Sequence, residues 1–371
     1  MWIGILIVVF AVALAFANGA NDNSKGVATL IGGGLLSTKK AILYAGVATL
    51  LGSAAAIWLG AELAGKFTGK GIVDAAILGS TLFPFCMGIA ASLTVLLATR
   101  IGMPISTTHS MVGAIIGIGL AGHGLHWPAV WSKFFYPLIV SPLIAVAVGA
   151  GLYLLLRFVR RGIGITAETC LCVGKSMQPV RIANDGSMHF SGSGLTLTVD
   201  EQANCLRRYQ GQVFGVNAQA VLDRLHLLSA GAISFARGLN DTPKVAALMI
   251  GLSFLTDAHA VLLTGIAILA GGLMMVRRVA ETMSHRITAM NDGQAFSANL
   301  ATAFLVIVAS RWGVPVSTTH VSCGSLFGIG LVTRQGNRNV IGSILLAWIT
   351  TLPVAAIIGA LCWLILSGRA P

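Results

Sequence analysis

Charged side chains are scarce in this sequence. Of its 371 residues only 10% are Asp, Glu, Lys or Arg, whereas 56% are hydrophobic. A soluble globular domain carries about 25% charged residues, so the composition excludes that class. Long apolar stretches with few charges are instead typical of a chain that crosses a bilayer several times. We therefore predict a multi-pass protein of the cell (inner) membrane.

Acidic residues are half as numerous as basic ones, which gives a formal net charge of +12. The basic residues form no continuous face and no aromatic residues interleave with them, which excludes a nucleic-acid partner. Cytoplasmic loops of membrane proteins are enriched in Lys and Arg. With the N- and C-termini outside, that rule leaves Lys66 and Lys70 as exceptions and places in the cytoplasm Lys39, Lys40, Arg157, Arg160, Arg161, Arg277, Arg278, Arg334 and Arg338.

Cysteines are few and scattered. Three lie in apolar segments and three in the polar middle of the chain, namely Cys86, Cys323 and Cys362, and Cys170, Cys172 and Cys205. A structural zinc site normally offers two Cys-x2–4-Cys or Cys/His pairs, and this spacing does not. We therefore predict no metal and no cofactor, and free thiols in a reducing compartment.

What the chain does have is long apolar segments. They cover residues 2–20, 41–64, 75–99, 129–156, 256–276, 294–310 and 338–367. About 20 residues cross the hydrocarbon core of a bilayer, so several of these segments are long enough to span it. The shorter apolar runs at 104–120 and 315–332 are rich in glycine and indicate broken or re-entrant helices.

Two motifs occur twice. "FANGANDNSK" at 16–25 and "FARGLNDTPK" at 235–244 share six of ten residues, and "RIGMPISTTH" at 100–109 and "RWGVPVSTTH" at 311–320 share seven of ten. We count five crossing elements in each half, and an odd number forces the second copy to enter the membrane in the opposite sense. Inverted-topology repeats of this kind are characteristic of secondary transporters.

Three segments follow from the repeat. Residues 1–159 form the first membrane repeat, 160–220 a polar cytoplasmic insert and 221–371 the second, inverted repeat. The insert contains alternating strings such as "SMHFSGSGLTLTVD", which predict a small β-rich domain. The predicted fold class is thus an all-α polytopic membrane protein with broken helices and a β-rich soluble insert.

The Gly-x-Asn-Asp strings at 19–22 and 238–241 look like breaks in transmembrane helices. Irregular backbone at membrane depth is tolerated only where protein or a wet cavity surrounds it. Pro243 strengthens this expectation in the second copy because proline removes a helix donor. Asp22 and Asp241 are carboxylates within the membrane, where burying a charge costs much free energy, and they are therefore candidate functional residues. Lys25 and Lys244, three residues on, are within reach of them on a helical turn.

The Pro-x-Ser-Thr-Thr-His strings suit helix N-termini, where free N–H groups and hydroxyls form an anion site. Their hydroxyl residues are Ser106, Thr107, Thr108, Ser317, Thr318 and Thr319. The alternative is that these side chains only cap helices. His109 and His320 close the motifs and, with Asp22 and Asp241, are candidates for proton coupling, although satisfied interior histidines are the competing interpretation.

These four motifs resemble those of the inorganic phosphate transporter (PiT) family, whose hallmark is a duplicated Gly-x-Asn-Asp segment. The resemblance covers both membrane halves. It implies sodium- or proton-coupled phosphate uptake, with sulfate carried by some relatives, and often a homodimer. It also implies that substrate and ions bind at Asn21, Asp22, Asn240, Asp241 and the hydroxyls at 106–108 and 317–319.

The sequence departs from the family directly after each Asn-Asp, where small residues are usual and this chain has Lys25 and Lys244. We hypothesise that their ammonium groups replace coupling sodium ions and lie in the substrate site. The sequence thus predicts a proton-coupled phosphate transporter; a sulfate permease and a sodium-coupled symporter remain alternatives. An enzyme using Ser106 and His109 is disfavoured because no orienting carboxylate lies nearby in the sequence.

Overall fold

A computed structural model describes residues 2–178, 191–208, 214–275, 279–280 and 290–368. Arg277, Arg278 and parts of the predicted insert lie outside the described residues. The chain divides into two compact units, one made of 1–153 and 227–371 and the other of 154–226. The first is helical, and the second contains a three-stranded sheet.

Helices account for most of the first unit. In the first half they are α1 (Trp2–Asp22), a 3-10 turn (Asn23–Gly26), α2 (Ala28–Gly32), α3 (Thr38–Leu59), α4 (Ala61–Phe67), α5 (Ala75–Leu78), α6 (Leu82–Arg100), α7 (Thr107–Ala121), α8 (Trp127–Val130), a π-helical turn (Trp131–Phe135) and α9 (Tyr136–Gly162). After α10 (Gln202–Arg208), which belongs to the insert, they are α11 (Ala218–Ala246), α12 (Asp257–Met274), α13 (Asp292–Arg311), α14 (Thr318–Thr333) and α15 (Arg338–Leu366).

Seven of the described helical segments are long and apolar enough to cross a membrane. They are Trp2–Gly26, Thr38–Leu59, Leu82–Arg100, Trp127–Gly162, Asp257–Met274, Asp292–Arg311 and Ile341–Leu366. The predicted polytopic all-α architecture is confirmed. The helices that follow the Ser-Thr-Thr strings, α7 with 15 residues and α14 with 16, are too short to span a bilayer core of about 20 residues.

The sequence repeat recurs in the helix contacts. A Cβ atom added to Gly19 of α1 would lie 1.9 Å from the carbonyl oxygen of Ile268 in α12. A Cβ added to Gly238 of α11 would lie 2.1 Å from the carbonyl oxygen of Thr49 in α3. Only glycine permits backbones to approach this closely. Each Gly-x-Asn-Asp helix therefore packs against a helix of the other repeat, whereas the inverted membrane orientation stays a prediction.

The second Gly-x-Asn-Asp string does not break its helix. The prediction holds for the first copy, because α1 ends at Asp22 and a 3-10 turn follows. In the second copy it is wrong, since α11 runs through Asp241 and Pro243 to Ala246. Proline fits helical φ and costs one backbone hydrogen bond, that to the carbonyl of Leu239. The buried packing of α11 tolerates this loss, and the helix ends three residues later.

The insert is β-rich, as predicted. Strands β1 (Thr169–Gln178), β2 (Ser191–Glu201) and β3 (Phe214–Asn217) form an antiparallel sheet in the order β2-β1-β3, with α10 (Gln202–Arg208) following β2. The prediction that all cysteines are free is wrong at one pair. Cys172 on β1 forms a disulfide with Cys205 on α10, with their Cα atoms 6.2 Å apart, because α10 packs against β1. The other four cysteines are free.

We predict that Gly117→Ala destabilises the membrane unit. A Cβ at this position in α7 would lie 1.9 Å from the carbonyl oxygen of Ala356 in α15, so the two helices must move apart. Overpacking of this kind costs about 1–3 kcal/mol. Thermal unfolding in detergent should show a lower melting temperature. Gly151→Ala is the matched control, since nothing lies within 4 Å of its Cβ; equal melting temperatures would contradict the prediction.

Candidate functional site

The four duplicated motifs meet at one buried site. The Asn18 side-chain amide, one turn before Asp22, donates to Thr107 Oγ1 at 2.9 Å and to Asp241 Oδ2 at 3.3 Å. Thr318 Oγ1 donates to the same Asp241 oxygen at 3.3 Å. The C-terminal end of α1, the second half of α11 and the N-termini of α7 and α14 therefore converge.

Lys25 is buried, with 3% of its surface exposed. Its ammonium group donates to the Asp22 carboxylate, to the Ile105 carbonyl at 2.9 Å and to Thr319 Oγ1 at 2.5 Å. Asp22 and Ile105 belong to the first repeat, and Thr319 belongs to the second. It also donates to Asn21 Oδ1 at 3.3 Å, so the ammonium group links the two repeats through four oxygen atoms.

Lys244 occupies the equivalent position in the second repeat. It is 1% exposed and donates to Asp241 Oδ1 at 3.3 Å, to the Val316 carbonyl at 2.7 Å and to Thr108 Oγ1 at 2.9 Å. Carboxylate, carbonyl and hydroxyl come from positions that correspond one by one to those around Lys25. The structure therefore places both predicted lysines beside their aspartates and adds a hydroxyl from the opposite repeat to each.

The predicted residues Asn21 and Asn240 brace the segments that lead into the Ser-Thr-Thr strings. Asn21 Oδ1 accepts from the Ile105 amide at 3.1 Å, and its Nδ2 donates to the Met103 carbonyl at 2.9 Å. Asn240 Nδ2 donates to the Val316 carbonyl at 3.3 Å. These bonds hold in place the same carbonyl-bearing residues that contact the two lysines.

Ser106 and Ser317 are helix caps. Their side-chain oxygens accept from the backbone amides of His109 at 3.1 Å and His320 at 3.2 Å. The capping interpretation is therefore confirmed for both serines. Of the adjacent threonines, Thr108 and Thr319 contact the lysines and Thr318 contacts Asp241, whereas Thr107 accepts from Asn18. Both helix N-termini carry the positive end of a helix dipole into this site.

The two histidines contact each other. Their ring centroids are 4.3 Å apart, and the His320 ring stacks on Trp348 at 3.7 Å. His109 Nδ1 lies 2.9 Å from Ser106 Oγ, which already accepts the capping bond. Among the described side-chain contacts, the partners of these rings are this serine, the other histidine and Trp348. Within the described part of the chain, no carboxylate completes a nucleophile–base–acid arrangement there.

Comparison with known proteins gives the same assignment as the motifs. A family model described as the phosphate transporter family matches residues 18–359. The chain belongs to this family.

Its relatives in the phosphate transporter family match along nearly the whole chain. A protein of Pyrococcus abyssi named as a phosphate permease is 26% identical, covering 98% of this chain and 97% of its own. One of Mycobacterium leprae named as a low-affinity inorganic phosphate transporter is 26% identical over 97% of this chain and 77% of its own. A solved structure titled "The sodium-dependent phosphate transporter" shares the fold, with a TM-score of 0.74, 23% identity and 99% coverage of both chains.

Two polar residues in this family member were missed from the sequence. Asn18 and Arg237 occupy equivalent positions, 219 residues apart, immediately before the glycine of each Gly-x-Asn-Asp string. Arg237 is 3% exposed, and its Nη2 donates to Thr49 Oγ1 at 2.7 Å and to Asn23 Oδ1 at 3.1 Å. Its Nε and Nη1 have no hydrogen-bond partner among the described residues. The sequence did offer one signal for Arg237, because an arginine within an apolar stretch is a candidate functional residue.

The site therefore has an excess of positive charge. Among the residues whose burial is described, the buried cations are Lys25, Lys244 and Arg237, and the buried anions are Asp22 and Asp241. With all five ionised, one positive charge remains, and the two helix dipoles add to it. Such a site favours an anion.

We predict that Lys244→Met destabilises the protein by about 3–5 kcal/mol, because it leaves the buried Asp241 carboxylate without its cation. The double variant Asp241→Asn/Lys244→Met should recover most of this loss. Thermal unfolding in detergent measures both, with the exposed Lys66→Met as control. A double variant less stable than Lys244→Met would show that the two side chains are not energetically coupled.

Proposed function

We propose that this protein is a secondary active transporter that moves inorganic phosphate across the cell membrane. The observation that carries the proposal is the duplicated arrangement of oxygen atoms around the two buried lysines. Each lysine contacts the aspartate of its own repeat and a threonine of the Ser-Thr-Thr string in the other repeat. Membership of the phosphate transporter family supports it, as do relatives named as phosphate permeases and transporters. Buried charges at the meeting point of two repeats are typical of transporter substrate sites.

The anion binds, in this proposal, between the N-termini of α7 and α14. Thr107, whose hydroxyl accepts from Asn18 and keeps its own hydrogen free, and the free N–H groups of Arg237 supply donors in addition to the helix dipoles. At neutral pH phosphate retains at least one proton, which it donates to a carboxylate such as Asp241. Sulfate has no proton to donate, so the two aspartates favour phosphate.

We further propose that Lys25 and Lys244 take the place of coupling sodium ions. Carboxylate, carbonyl and hydroxyl oxygens are the ligands that hard cations prefer, and they are the ligands around each ammonium group. A tethered ammonium group supplies the positive charge without a dissociable ion. The solved relative is titled sodium-dependent, so this chain would differ from it in coupling.

Protons are the coupling ions in this scheme. Each Lys–Asp pair is a buried acid and base in direct contact, so a proton can pass between its members as the surroundings change. His109 and His320 are further proton carriers in the proposal, because their rings contact each other and His109 Nδ1 lies 2.9 Å from Ser106 Oγ at the start of α7. The homodimer, the external termini and the cytoplasmic insert complete the proposal and rest on the sequence.

We predict pH-driven phosphate uptake without sodium in proteoliposomes containing the purified protein. Labelled phosphate and labelled sulfate should be tested separately under imposed pH and sodium gradients. Phosphate uptake should follow the pH gradient, and sulfate should compete weakly. Strictly sodium-dependent uptake would refute the lysine proposal. Preferential sulfate uptake would instead identify a sulfate permease of the same fold.

The same assay tests the two lysines. Lys25→Ala and Lys244→Ala should each lower sodium-free uptake by at least about tenfold, because about 1.4 kcal/mol of lost interaction is a factor of ten. Sodium should partly restore uptake in these variants by entering the vacated oxygen cages. Lys40→Ala, at an exposed position, is the matched control. Unchanged uptake in both alanine variants would contradict the assignment.

We predict that Arg237→Gln raises the KM for phosphate by about 10–100-fold, since a hydrogen bond to a charged group contributes about 1.5–3 kcal/mol. Arg237→Lys should retain part of the affinity because it keeps the charge. The exposed Arg160→Gln is the control. If Arg237→Gln lowered only the maximum rate and left KM unchanged, Arg237 would not contact the anion.

A further inference from the structure

Three cysteine sulfurs lie together in the insert. Cys170, Cys172 and Cys205 place their sulfur atoms within 4.8 Å of one another. Cys170 and Cys172 are two residues apart on β1 and so share a face of the sheet, and Cys205 comes from α10, which packs against that strand. The sequence spacing alone argued against a metal site because it did not reveal this convergence.

These cysteines are the buried core of the sheet region. Between residues 163 and 217, no other side chain whose burial is described is buried. The aliphatic residues Leu171, Leu197 and Val199 occupy the opposite face and are 42%, 65% and 68% exposed. A unit this small cannot rely on hydrophobic burial, and natural domains of this size use disulfides or metal ions.

A disulfide accounts for only part of the cluster. It joins Cys172 to Cys205 and leaves Cys170 as a buried free thiol beside it. A cavity of about 220 Å³ adjoins Cys170 and Cys205 and is also lined by Gln202, Asn217 and Arg224. The cluster therefore offers three sulfur ligands and open space next to two of them.

We propose that the reduced insert binds one Zn²⁺ ion through Cys170, Cys172 and Cys205, with the fourth ligand position facing the cavity. Zn–S bonds of about 2.3 Å in tetrahedral geometry require sulfur atoms about 3.8 Å apart. The observed separations, all within 4.8 Å, need only small side-chain adjustments. Thiolates are the ligands that select zinc and other thiophilic metals. This site is independent of the transported anion.

Reduction must precede binding. A dithiol reductant breaks the Cys172–Cys205 bond, gives it two electrons and two protons, and becomes a disulfide itself. The three thiols then release three protons as their thiolates bind Zn²⁺. In the reverse exchange a small-molecule disulfide takes the two electrons from Cys172 and Cys205 and becomes a dithiol, which reforms the Cys172–Cys205 bond and releases the ion.

The test uses the full-length protein in detergent, reduced with a phosphine and freed of metal. Zn²⁺ is titrated against a chromophoric chelator, and Co²⁺ is added separately to detect thiolate-to-metal charge-transfer absorption. We expect one Zn²⁺ per chain for the unsubstituted protein and for Cys323→Ser, a buried membrane cysteine outside the cluster. Cys170→Ser and Cys205→Ser should each weaken binding by more than the roughly 10–100-fold that loss of an outer-shell partner costs, because each removes a direct ligand.

Cysteine alkylation of the unsubstituted protein provides a second measurement that does not depend on variants folding. Zn²⁺ should protect Cys170, Cys172 and Cys205 from alkylation and leave Cys323 unaffected. Absence of stoichiometric zinc in the reduced protein would overturn the proposal. So would zinc binding of unchanged affinity in Cys170→Ser, since Cys170 would then not be a ligand.

Discussion

The arrangement of the membrane unit depends on the cost of burying two ammonium groups and two carboxylates among apolar helices. An isolated ion in such surroundings is prohibitively expensive, so every charge needs a partner and further hydrogen bonds. Lys25 and Lys244 obtain these from carbonyls at the ends of irregular segments and from threonines on a neighbouring helix. The short helices α7 and α14 begin where those oxygens are needed.

The contacts of the two pairs are reciprocal. Each lysine binds the aspartate of its own repeat and a threonine of the other, so neither cage is complete within one half of the chain. The backbones show the same reciprocity, because glycines let α1 pack closely on α12 and α11 pack closely on α3, and in both pairs the two helices come from different repeats. Relative movement of the two halves would therefore strip both ammonium groups of a ligand unless the four motifs move as one body.

The sequence predicted the membrane class and the apolar segments, and the duplicated motifs that it singled out are the ones that meet at the candidate site. It did so because burial of charge in apolar stretches and duplication of motifs are visible without coordinates. It failed where tertiary packing decides. Pro243 was expected to mark a break, but α11 continues past it. The serines act as caps, and Asn18 and Arg237 were missed because their partners come from distant helices.

The cysteines illustrate the same limit in the insert. Their spacing along the chain carries no recognisable pattern. Cys205 comes close to β1 only because β2 pairs antiparallel with β1 and α10 follows β2 in the chain. Local pattern predicts that strands form. It does not predict which side chains of separate elements face each other, because this depends on register and on how α10 packs.

Arg237 makes the two repeats unequal in charge although they are nearly equal in geometry. Its counterpart is the neutral Asn18. If the first repeat took the conformation of the second and the second that of the first, the distribution of charge in the site would therefore not be the same as before. If the two halves exchange roles during transport, as the proposed inverted repeat implies, the two end states differ in energy even without a gradient. A membrane potential, at about 2.3 kcal/mol per elementary charge and 100 mV, would add to that difference if the arginine changed depth. The resting carrier would thus favour one side of the membrane as an intrinsic property of its sequence.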